Sequence, residues 1–526
     1  MDRGGRARTV GAVLLEVSLD RREFVAAGAA SLASVVAAAR TQALPARADV
    51  QRIDIDLARD AGALAHNWEN VVGSDRLAVA FREPWIEELK VAQRLAGFRA
   101  VRCHGLFDDE MGICPGLDAS GPQIRFVYLD QVYDRLLELG VRPFVELSFM
   151  PSALASSRNA VFWYRGRTSP PKDFGAWGQL IEAFARHLVQ RYGIAEVSQW
   201  RFECWNEPNL SFWAGTQAQY FELYRVTATA LKGVDARLQV GGPSTAMMMW
   251  IPAFLDYCRA QRLPVDFVSS HVYPDDPQET VFGEANRFPF EEVTPRALAQ
   301  ANAQIEAAGF RGTPLVLSEW SSQNPAFIAH TLNACLPLAD TMAYWQLSSV
   351  FEEQGTPKSF DTSLYGLFIQ SGVPRASLHA FTLLHRLGQR RVSAGSGPVL
   401  ASRRDDGSAA ILAWNLAPRN VRGMMGDPLA AFQAEVLPPG PTRRLALHLR
   451  NAGVPSAQLS VLDPAQASAE AAYLSLGRPP SPTREQIGEL KRRAALPPPR
   501  TVPIQEGRVE VELPANAIAL LEVGAP

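Results

Sequence analysis

Between residue 60 and about residue 388, short apolar segments that resemble buried strands alternate with longer segments of helical spacing. Residues 85–95, for example, are apolar at positions 85, 86, 89, 91 and 95, close to the 3.6-residue period of a helix. Strands that alternate with helices favour a parallel sheet over a sandwich. Eight strands are predicted, at residues 61–66, 98–104, 143–149, 199–205, 238–242, 267–272, 315–320 and 342–347. We therefore predict an α/β fold, a (β/α)₈ TIM barrel spanning residues 49–388.

The pattern changes after residue 389, where short strand-like segments are separated by turns rich in Gly, Pro and Asp. Such spacing predicts a C-terminal β-sandwich over residues 389–526, with a helix at 483–494 inserted in it. Residues 51–57 alternate in polarity and are a further candidate strand of this sandwich. The predicted sandwich strands are residues 399–402, 408–415, 443–449, 471–476, 508–513 and 517–523.

The first 48 residues carry three elements of an export signal in the expected order. The pair Arg21 and Arg22 precedes an apolar run of small residues at 25–39, and Ala46-Arg47-Ala48 offers a cleavage site. This arrangement resembles a twin-arginine signal and predicts a periplasmic or secreted protein. The alternative is an amphipathic N-terminus with a chance arginine pair, which would leave the chain in the cytoplasm.

Net charge and cysteine content argue against a nucleic-acid partner, a disulfide framework and a zinc site. The formal net charge of −2 gives no reason to expect nucleic acid as a partner, and no segment is long and apolar enough to span a bilayer. The five cysteines are odd in number and form no CxxC motif, so neither a disulfide framework nor a zinc site is indicated.

Two glutamates stand where predicted buried strands give way to loops. Glu207 lies in Trp205-Asn206-Glu207-Pro208, and Glu319 lies in Ser318-Glu319-Trp320. In a (β/α)₈ barrel the active site is built at these strand ends, and two facing carboxylates are what glycoside hydrolysis requires. The alternative is that one glutamate is a surface ion-pair partner, but charged side chains are seldom placed at the end of a buried strand.

The chemistry assigns candidate roles. Glu207 is the candidate acid, and Glu319 is the candidate nucleophile. We expect Pro208 to hold Glu207 in extended geometry, Asn206 to bind a sugar hydroxyl, and Trp320 to form an apolar platform for a sugar. The two carboxylates suffice for this reaction, so we expect no cofactor and no metal.

Several motifs match a known family in order along the chain. These motifs are residues 101–105, 107–109, 146–151, 202–209, 271–273, 318–320 and 351–353. On them, the sequence from about residue 68 to residue 386 resembles glycoside hydrolase family 39, which includes β-xylosidases and α-L-iduronidases. Residues 149–151 and 169–172 make it more similar to the bacterial β-xylosidases. The resemblance implies a retaining mechanism with Glu207 as acid/base and Glu319 as nucleophile.

Alternating residues on two predicted strands are further site candidates, since alternate side chains share one face. Arg102 is expected either to orient Glu319 or to pair with the buried Glu203, and His104 either binds a sugar hydroxyl or is a core histidine. On the second strand, His271 is a candidate contact, and Tyr273 either holds Glu319 or packs in the core.

The remaining candidates follow the last predicted strand or are aromatic. One of Glu352 and Glu353 is expected to bind a hydroxyl of the non-reducing sugar, and the other to be solvated. Aromatic rings either wall the pocket or simply pack in the core. These rings are Phe107, Phe149, Trp213 and Trp345.

Together these observations predict an exo-acting glycosidase that releases β-D-xylose from xylo-oligosaccharides. One alternative is another specificity of the same family, for an arabinoside, an iduronide or an exopolysaccharide. The other is a non-catalytic carbohydrate-binding protein, which would not require both an acid and a nucleophile.

Overall fold

The computed structural model describes residues 50–357, 360, 365–418, 436 and 440–524. The predicted export signal, residues 1–48, lies outside the described residues. Within them, no helix is both long and apolar enough to cross a bilayer. The five cysteines are buried free thiols.

The strands in chain order are β1 (Gln51–Ala63), β2 (Val72–Arg76), β3 (Ala100–His104), β4 (Gly116–Asp118), β5 (Gly121–Gln123), β6 (Arg142–Leu147), β7 (Ala160–Val161), β8 (Gly166–Arg167), β9 (Arg201–Cys204), β10 (Gln239–Thr245), β11 (Phe267–His271), β12 (Leu315–Trp320), β13 (Thr341–Tyr344), β14 (Phe368–Ile369), β15 (Val373–Pro374), β16 (Arg390–Ala394), β17 (Val399–Arg403), β18 (Ala409–Trp414), β19 (Arg443–Arg450), β20 (Ser456–Leu462), β21 (Arg500–Pro503), β22 (Arg508–Leu513) and β23 (Ile518–Val523). The helices are α1 (Glu83–Ala96), α2 (Val127–Glu138), α3 (Phe174–Tyr192), α4 (Ile194–Val197), α5 (Gln217–Val234), α6 (Ile251–Gln261), α7 (Gln278–Phe282), α8 (Phe290–Ala307), α9 (Pro325–Cys335), α10 (Ala376–His385), α11 (Ala469–Ser475) and α12 (Arg484–Ala494).

Eight parallel strands close into a barrel in the order β2, β3, β6, β9, β10, β11, β12 and β13. This confirms the predicted (β/α)₈ fold, and seven of the eight strands overlap the predicted segments. The prediction of residues 61–66 as the first barrel strand is wrong, because Ala63 ends β1 and pairs with Arg390 of β16. The true first strand is β2, in which Ser74, Asp75 and Arg76 are buried. Its polar sequence gives no apolar pattern by which to find it.

A nine-stranded sheet forms separately from the barrel, with its strands in the order β21-β20-β23-β18-β17-β16-β1-β19-β22. Its strands share one apolar core, which includes Ile53, Ile411, Leu447 and Leu521. This confirms the predicted sandwich class of fold. Strand β1 lies inside this sheet, antiparallel to β16 and parallel to β19, so it joins the sandwich to the start of the barrel.

One predicted strand of the sandwich is a helix. Residues 471–476 fall on α11, whose first turn is capped by the Ser468 side chain accepting a hydrogen bond from the Ala471 N–H. The segment is a helix because it is rich in alanine and includes a glutamate, and both residue types have high helix propensity. The helix predicted at 483–494 is α12, which begins at a capping box formed by Thr483 and Gln486.

Candidate active site

The acid candidate Glu207 lies in a turn immediately after β9. Its backbone is in the left-handed region, with φ of 43°, and Trp205 before it has φ of 71°. The expectation that Pro208 keeps Glu207 extended is therefore wrong. The Glu207 N–H donates to the Ser244 carbonyl at 2.8 Å, which fixes the turn against the end of β10. Non-glycine residues with positive φ are strained and concentrate at functional sites.

The nucleophile candidate Glu319 lies on β12, which neighbours β11 in the barrel. An Arg102 Nη1–H donates to Glu319 Oε1 at 2.8 Å, and the Tyr273 hydroxyl donates to Glu319 Oε2 at 3.0 Å. Each carboxylate oxygen thus has its own donor. The two hydrogen bonds fix the carboxylate rotamer and stabilise its negative charge.

Glu207 has a different environment. Its Oε1 lies 2.9 Å from His271 Nδ1, and the same nitrogen lies 3.6 Å from Glu319 Oε2. Burial raises the pKa of Glu207 to about 7 and lowers the pKa of His271 to about 4. At neutral pH a substantial fraction of Glu207 therefore holds a proton, while His271 is neutral.

Arg102 connects Glu319 to the barrel interior. It is fully buried; its Nε donates to Glu203 Oε2 at 2.6 Å and its Nη2 to Asn206 Oδ1 at 2.9 Å. Both interpretations of Arg102 are therefore realised, since it contacts Glu319 and also pairs with Glu203. Arg102 and His271 are both buried, and both contact the glutamates of the site; direct contact of either with the sugar stays a prediction.

Glu146 is a site residue to which the sequence analysis assigned no role. Its Oε2 lies 2.9 Å from Arg102 Nη2 and 2.7 Å from His104 Nδ1. Burial by itself lowers the pKa of His104, but the charge of Glu146, its hydrogen bond to His104 and the charge of Glu319 together outweigh burial and raise that pKa to about 9. A charged residue inside the apolar run at 143–149 is the signal that could have identified Glu146.

The structure distinguishes Glu353 from Glu352. Glu352 Oε2 lies 2.9 Å from Arg76 Nη1 and 2.8 Å from Arg82 Nη2, so it is a buried ion-pair partner. Glu353 is partly exposed, and its Oε1 lies 3.6 Å from His104 Nε2. Burial raises the pKa of Glu353 well above its usual range. Neither glutamate is fully solvated, as was expected of one of them, and Glu353 is the one that faces the His104 side of the site.

Most of the predicted aromatic contacts belong to the core. Successive side chains of a strand point to opposite faces, so Trp320 points away from Glu319 and packs on Tyr344, with none of its surface exposed. The predicted sugar platform at Trp320 is therefore wrong. Three further rings are also buried and packed on other aromatic residues: Phe107, Phe149 and Trp213. One of them, Phe149, has its ring 6.3 Å from the His104 ring.

Two further rings approach the site: Trp345, which was predicted, and Phe162, which was not. Trp345 lies 4.7 Å from the His104 ring, between ring centroids, and Phe162 lies 6.1 Å from it. Phe162 is half-buried and belongs to the hairpin between β7 and β8. The sequence pattern gave no sign of this hairpin, because its strands have two residues each.

Among the described residues, one group of three side chains has the spacing of a metal site. It consists of Glu207, His271 and Glu319, and one ligand atom from each lies within 4.8 Å of the others. The Arg102 guanidinium, which donates to Glu319, adds positive charge at this point and opposes cation binding. The geometry that brings two carboxylates this close suits acid and nucleophile roles better.

Comparisons with known proteins agree with this arrangement. The model of the family described as Glycosyl hydrolases family 39 matches residues 51–509. A β-xylosidase of Geobacillus stearothermophilus is 38% identical over 382 residues, which cover 68% of this chain and 75% of that protein. Human α-L-iduronidase is 30% identical over 169 residues, covering 30% of this chain and 24% of that enzyme.

Solved structures are similar over most of the chain. A GH39 β-xylosidase from Caulobacter crescentus has a TM-score of 0.78 and 31% identity, covering 90% of this chain and 100% of that one. The GH39 enzyme from Xanthomonas axonopodis pv. citri has a TM-score of 0.79 and 30% identity, covering 90% and 97%.

Proposed function

The chain belongs to glycosyl hydrolases family 39 and is a glycoside hydrolase, and from this premise we propose that it is a retaining exo-glycosidase. In this proposal it releases β-D-xylose from the non-reducing ends of xylo-oligosaccharides by double displacement. The observation that carries the proposal is the pairing of Glu207 and Glu319 with unequal surroundings.

The spacing of the two carboxyl groups supports retention. An oxygen of Glu207 lies within 4.8 Å of an oxygen of Glu319. Retaining enzymes hold their two carboxyl groups about 5–5.5 Å apart, whereas inverting enzymes need about 6.5–9.5 Å to admit a water molecule. A gap this narrow favours direct attack by the carboxylate.

The unequal surroundings support the division of roles. In the first step Glu207 gives its proton to the leaving oxygen while Glu319 Oε2 or Oε1 attacks the anomeric carbon, and the C–O bond to the leaving sugar breaks. In the second step ionised Glu207 takes a proton from water, whose oxygen displaces Glu319. The raised pKa of Glu207 suits the first step, since an acid must hold its proton near neutral pH.

Similarity to named enzymes supports the choice of xylose. Two relatives named β-xylosidase, from Geobacillus stearothermophilus and Caldicellulosiruptor saccharolyticus, are each 38% identical and match about two thirds of this chain. The relatives named α-L-iduronidase match less than a third of it. A binding protein without activity would have no use for a protonated glutamate beside a carboxylate held by two donors.

Proton NMR of the early reaction tests the mechanism and the sugar together. With an aryl β-xyloside we expect β-xylose as the first product, followed by slow mutarotation to the α anomer. Immediate α-xylose would exclude retention. Aryl arabinosides, iduronides and glucosides measured beside it give the specificity, and a better substrate among them would replace xylose in the proposal.

We also propose that residues 1–48 direct export through the twin-arginine route. Changing Arg21 and Arg22 together to Lys should leave precursor in the cytoplasm, while the unchanged protein should be found in the periplasm with a mature N-terminus near Asp49. Equal periplasmic delivery of the Lys-Lys variant would contradict this proposal.

A further inference from the structure

A short hairpin formed by β7 and β8 stands at the mouth of the barrel, after the third barrel strand. Its base is anchored: the Met150 N–H donates to the Arg167 carbonyl at 3.0 Å, and Arg167 Nε donates to Ser152 Oγ at 3.0 Å. At its tip, Phe162 has φ of 63° and turns its ring towards His104. The next residue, Trp163, is 56% exposed, an unusual position for a tryptophan.

Contacts of Trp163 and Tyr164 hold the tip of the hairpin against the segment that follows β13 and against Arg76 of β2. The Trp163 N–H donates to the Glu353 carbonyl at 2.8 Å, and the indole packs over Gly355, where a Cβ would lie 3.2 Å from Trp163 Cδ1. The Tyr164 ring lies under the Arg76 guanidinium, 4.6 Å from its carbon to the ring centroid. One side of the Trp163 ring is therefore held against Gly355, and the other side is exposed. We call this ring the wall of the mouth.

The position of this wall relative to the glutamates follows from the barrel. Glu207 comes after β9 and Glu353 after β13, and these two strands are four places apart in the ring of eight, so they face each other across the mouth. Glu319 lies between: its Oε2 faces Glu207 through His271, and its Oε1 lies 4.0 Å from His104, which is next to Glu353.

The substrate must lie along this line. The glycosidic oxygen has to reach Glu207, and the anomeric carbon has to lie over Glu319, so the leaving group extends on the Glu207 side. The remainder of the terminal sugar then extends towards His104 and Glu353. The Trp163 N–H is bonded to the Glu353 carbonyl, so Trp163 lies beside the Glu353 end of this line, towards which a second sugar on the non-reducing side would extend.

We propose that Trp163 closes the non-reducing end of the site and thereby limits it to one sugar unit. The inference rests on the proposed function, which it deepens by naming the residue that enforces exo action. Trp163 is a specificity-determining residue in this proposal, with no part in bond cleavage.

The test uses nitrophenyl β-xylobioside, which can be cut at two bonds. If one sugar unit fits, the unchanged enzyme releases xylose first, and nitrophenol appears only after a lag. Trp163→Ala should open space for a second unit, so that xylobiose and nitrophenol are released together without a lag. We expect the ratio of xylobiose to xylose to rise about tenfold, as for removal of a steric block in a specificity pocket.

Three controls make the result specific. Trp163→Phe should restore most of the lag, and Tyr128→Ala, which removes a half-exposed ring of helix α2 that packs on Phe81, should leave the products unchanged. Nitrophenyl β-xyloside needs a single unit, so its cleavage by each variant shows that the variant is folded and that its two glutamates work. An unchanged product ratio in Trp163→Ala, with that activity retained, would overturn the inference. Failure of the unchanged enzyme on every xyloside would instead overturn the proposed function.

Discussion

Glu207 and Glu319 are chemically identical side chains made different by their neighbours. Glu319 accepts hydrogen bonds from Arg102 and Tyr273, both donors to a charged carboxylate. Glu207 is mostly buried and lies beside a neutral imidazole, and burial raises its pKa to about 7. One residue is thus prepared to attack and the other to give a proton.

The raised pKa predicts a pH profile. The acid form of Glu207 is lost as pH rises through about 7, so kcat/KM for an unactivated substrate such as xylobiose should fall about tenfold per pH unit above that value. Initial rates measured between pH 5 and pH 9 show whether kcat/KM falls in this way. A profile that stays flat up to pH 9 would mean that another group supplies the proton.

Removal of Glu207 should depend on the leaving group. General acid catalysis typically contributes about 10²–10⁴-fold, but a leaving group of low pKa departs without a proton. Glu207→Ala should therefore lose xylobiose hydrolysis by about that factor, yet still release dinitrophenol from dinitrophenyl xyloside in a burst. The burst reflects a glycosyl-enzyme that lacks its base for the second step. Equal losses on both substrates, without a burst, would leave Glu207 a role in pocket shape alone.

At the scale of elements, the site depends on how β2 closes the barrel against β13. Gly73 of β2 lies against Trp345, and a Cβ there would be 2.5 Å from Trp345 Cε3. The Trp345 ring in turn lies 4.7 Å from His104. A glycine is needed at this position because the first and last strands meet around a tryptophan.

Gly73→Ala should therefore move Trp345 towards His104. Overpacking of this kind typically costs about 1–3 kcal/mol, and we expect reduced kcat/KM for aryl xyloside in addition to a lower Tm. Gly233→Ala is the matched control, since a Cβ at this helical glycine meets nothing within 4 Å and should leave both quantities unchanged or raise Tm. Normal activity and Tm in Gly73→Ala would show that Trp345 adapts without cost.

At the scale of the molecule, one glutamate holds together the two places where the chain passes between sandwich and barrel. The first crossing lies between β1 and β2, and the second between α10 and β16. Glu69 on the first crossing lies 2.5 Å from His66 Nδ1 and 2.9 Å from Nδ1 of His385, the last residue of α10. His66 Nε2 also lies 3.3 Å from the Gly388 carbonyl.

This arrangement predicts a pH-dependent contribution to stability. Burial by itself raises the pKa of Glu69, but hydrogen bonds from His385 and His66 outweigh it and leave the pKa below its usual range. A lowered pKa stabilises the fold above the unfolded value, near 4.3, and the stabilisation is lost as pH falls through the folded value.

Glu69→Gln should lower the free energy of urea unfolding by about 1.5–3 kcal/mol at pH 7, the range for hydrogen bonds to charged groups. The difference from the unchanged protein should shrink as the pH falls through the lowered pKa of Glu69 and this carboxylate becomes protonated. Glu87→Gln removes an exposed pair with Lys90 and should change stability little at pH 7 or below. A pH-independent effect of Glu69→Gln would show that packing, and not the charge, matters at this position.

The sequence by itself determined the barrel, the sandwich class and the two glutamates. Seven barrel strands are apolar runs and the helices between them repeat every 3.6 residues, so local burial patterns suffice to find them. Glu207 and Glu319 end two of these runs, and a charge at the end of a buried strand is itself a local signal.

Tertiary structure decided what depends on partners far along the chain. The first barrel strand, β2, is polar and is buried only because other elements cover it, as when Trp85 of α1 donates to its Ser74. Glu352 and Glu353 are adjacent and alike in sequence, but Arg76 and Arg82 engage the first while the second lies beside His104. Trp320 is core because its strand neighbour Glu319 faces the site. Pattern reveals which residues are buried or charged, whereas the direction and partner of each side chain arise only when distant segments meet.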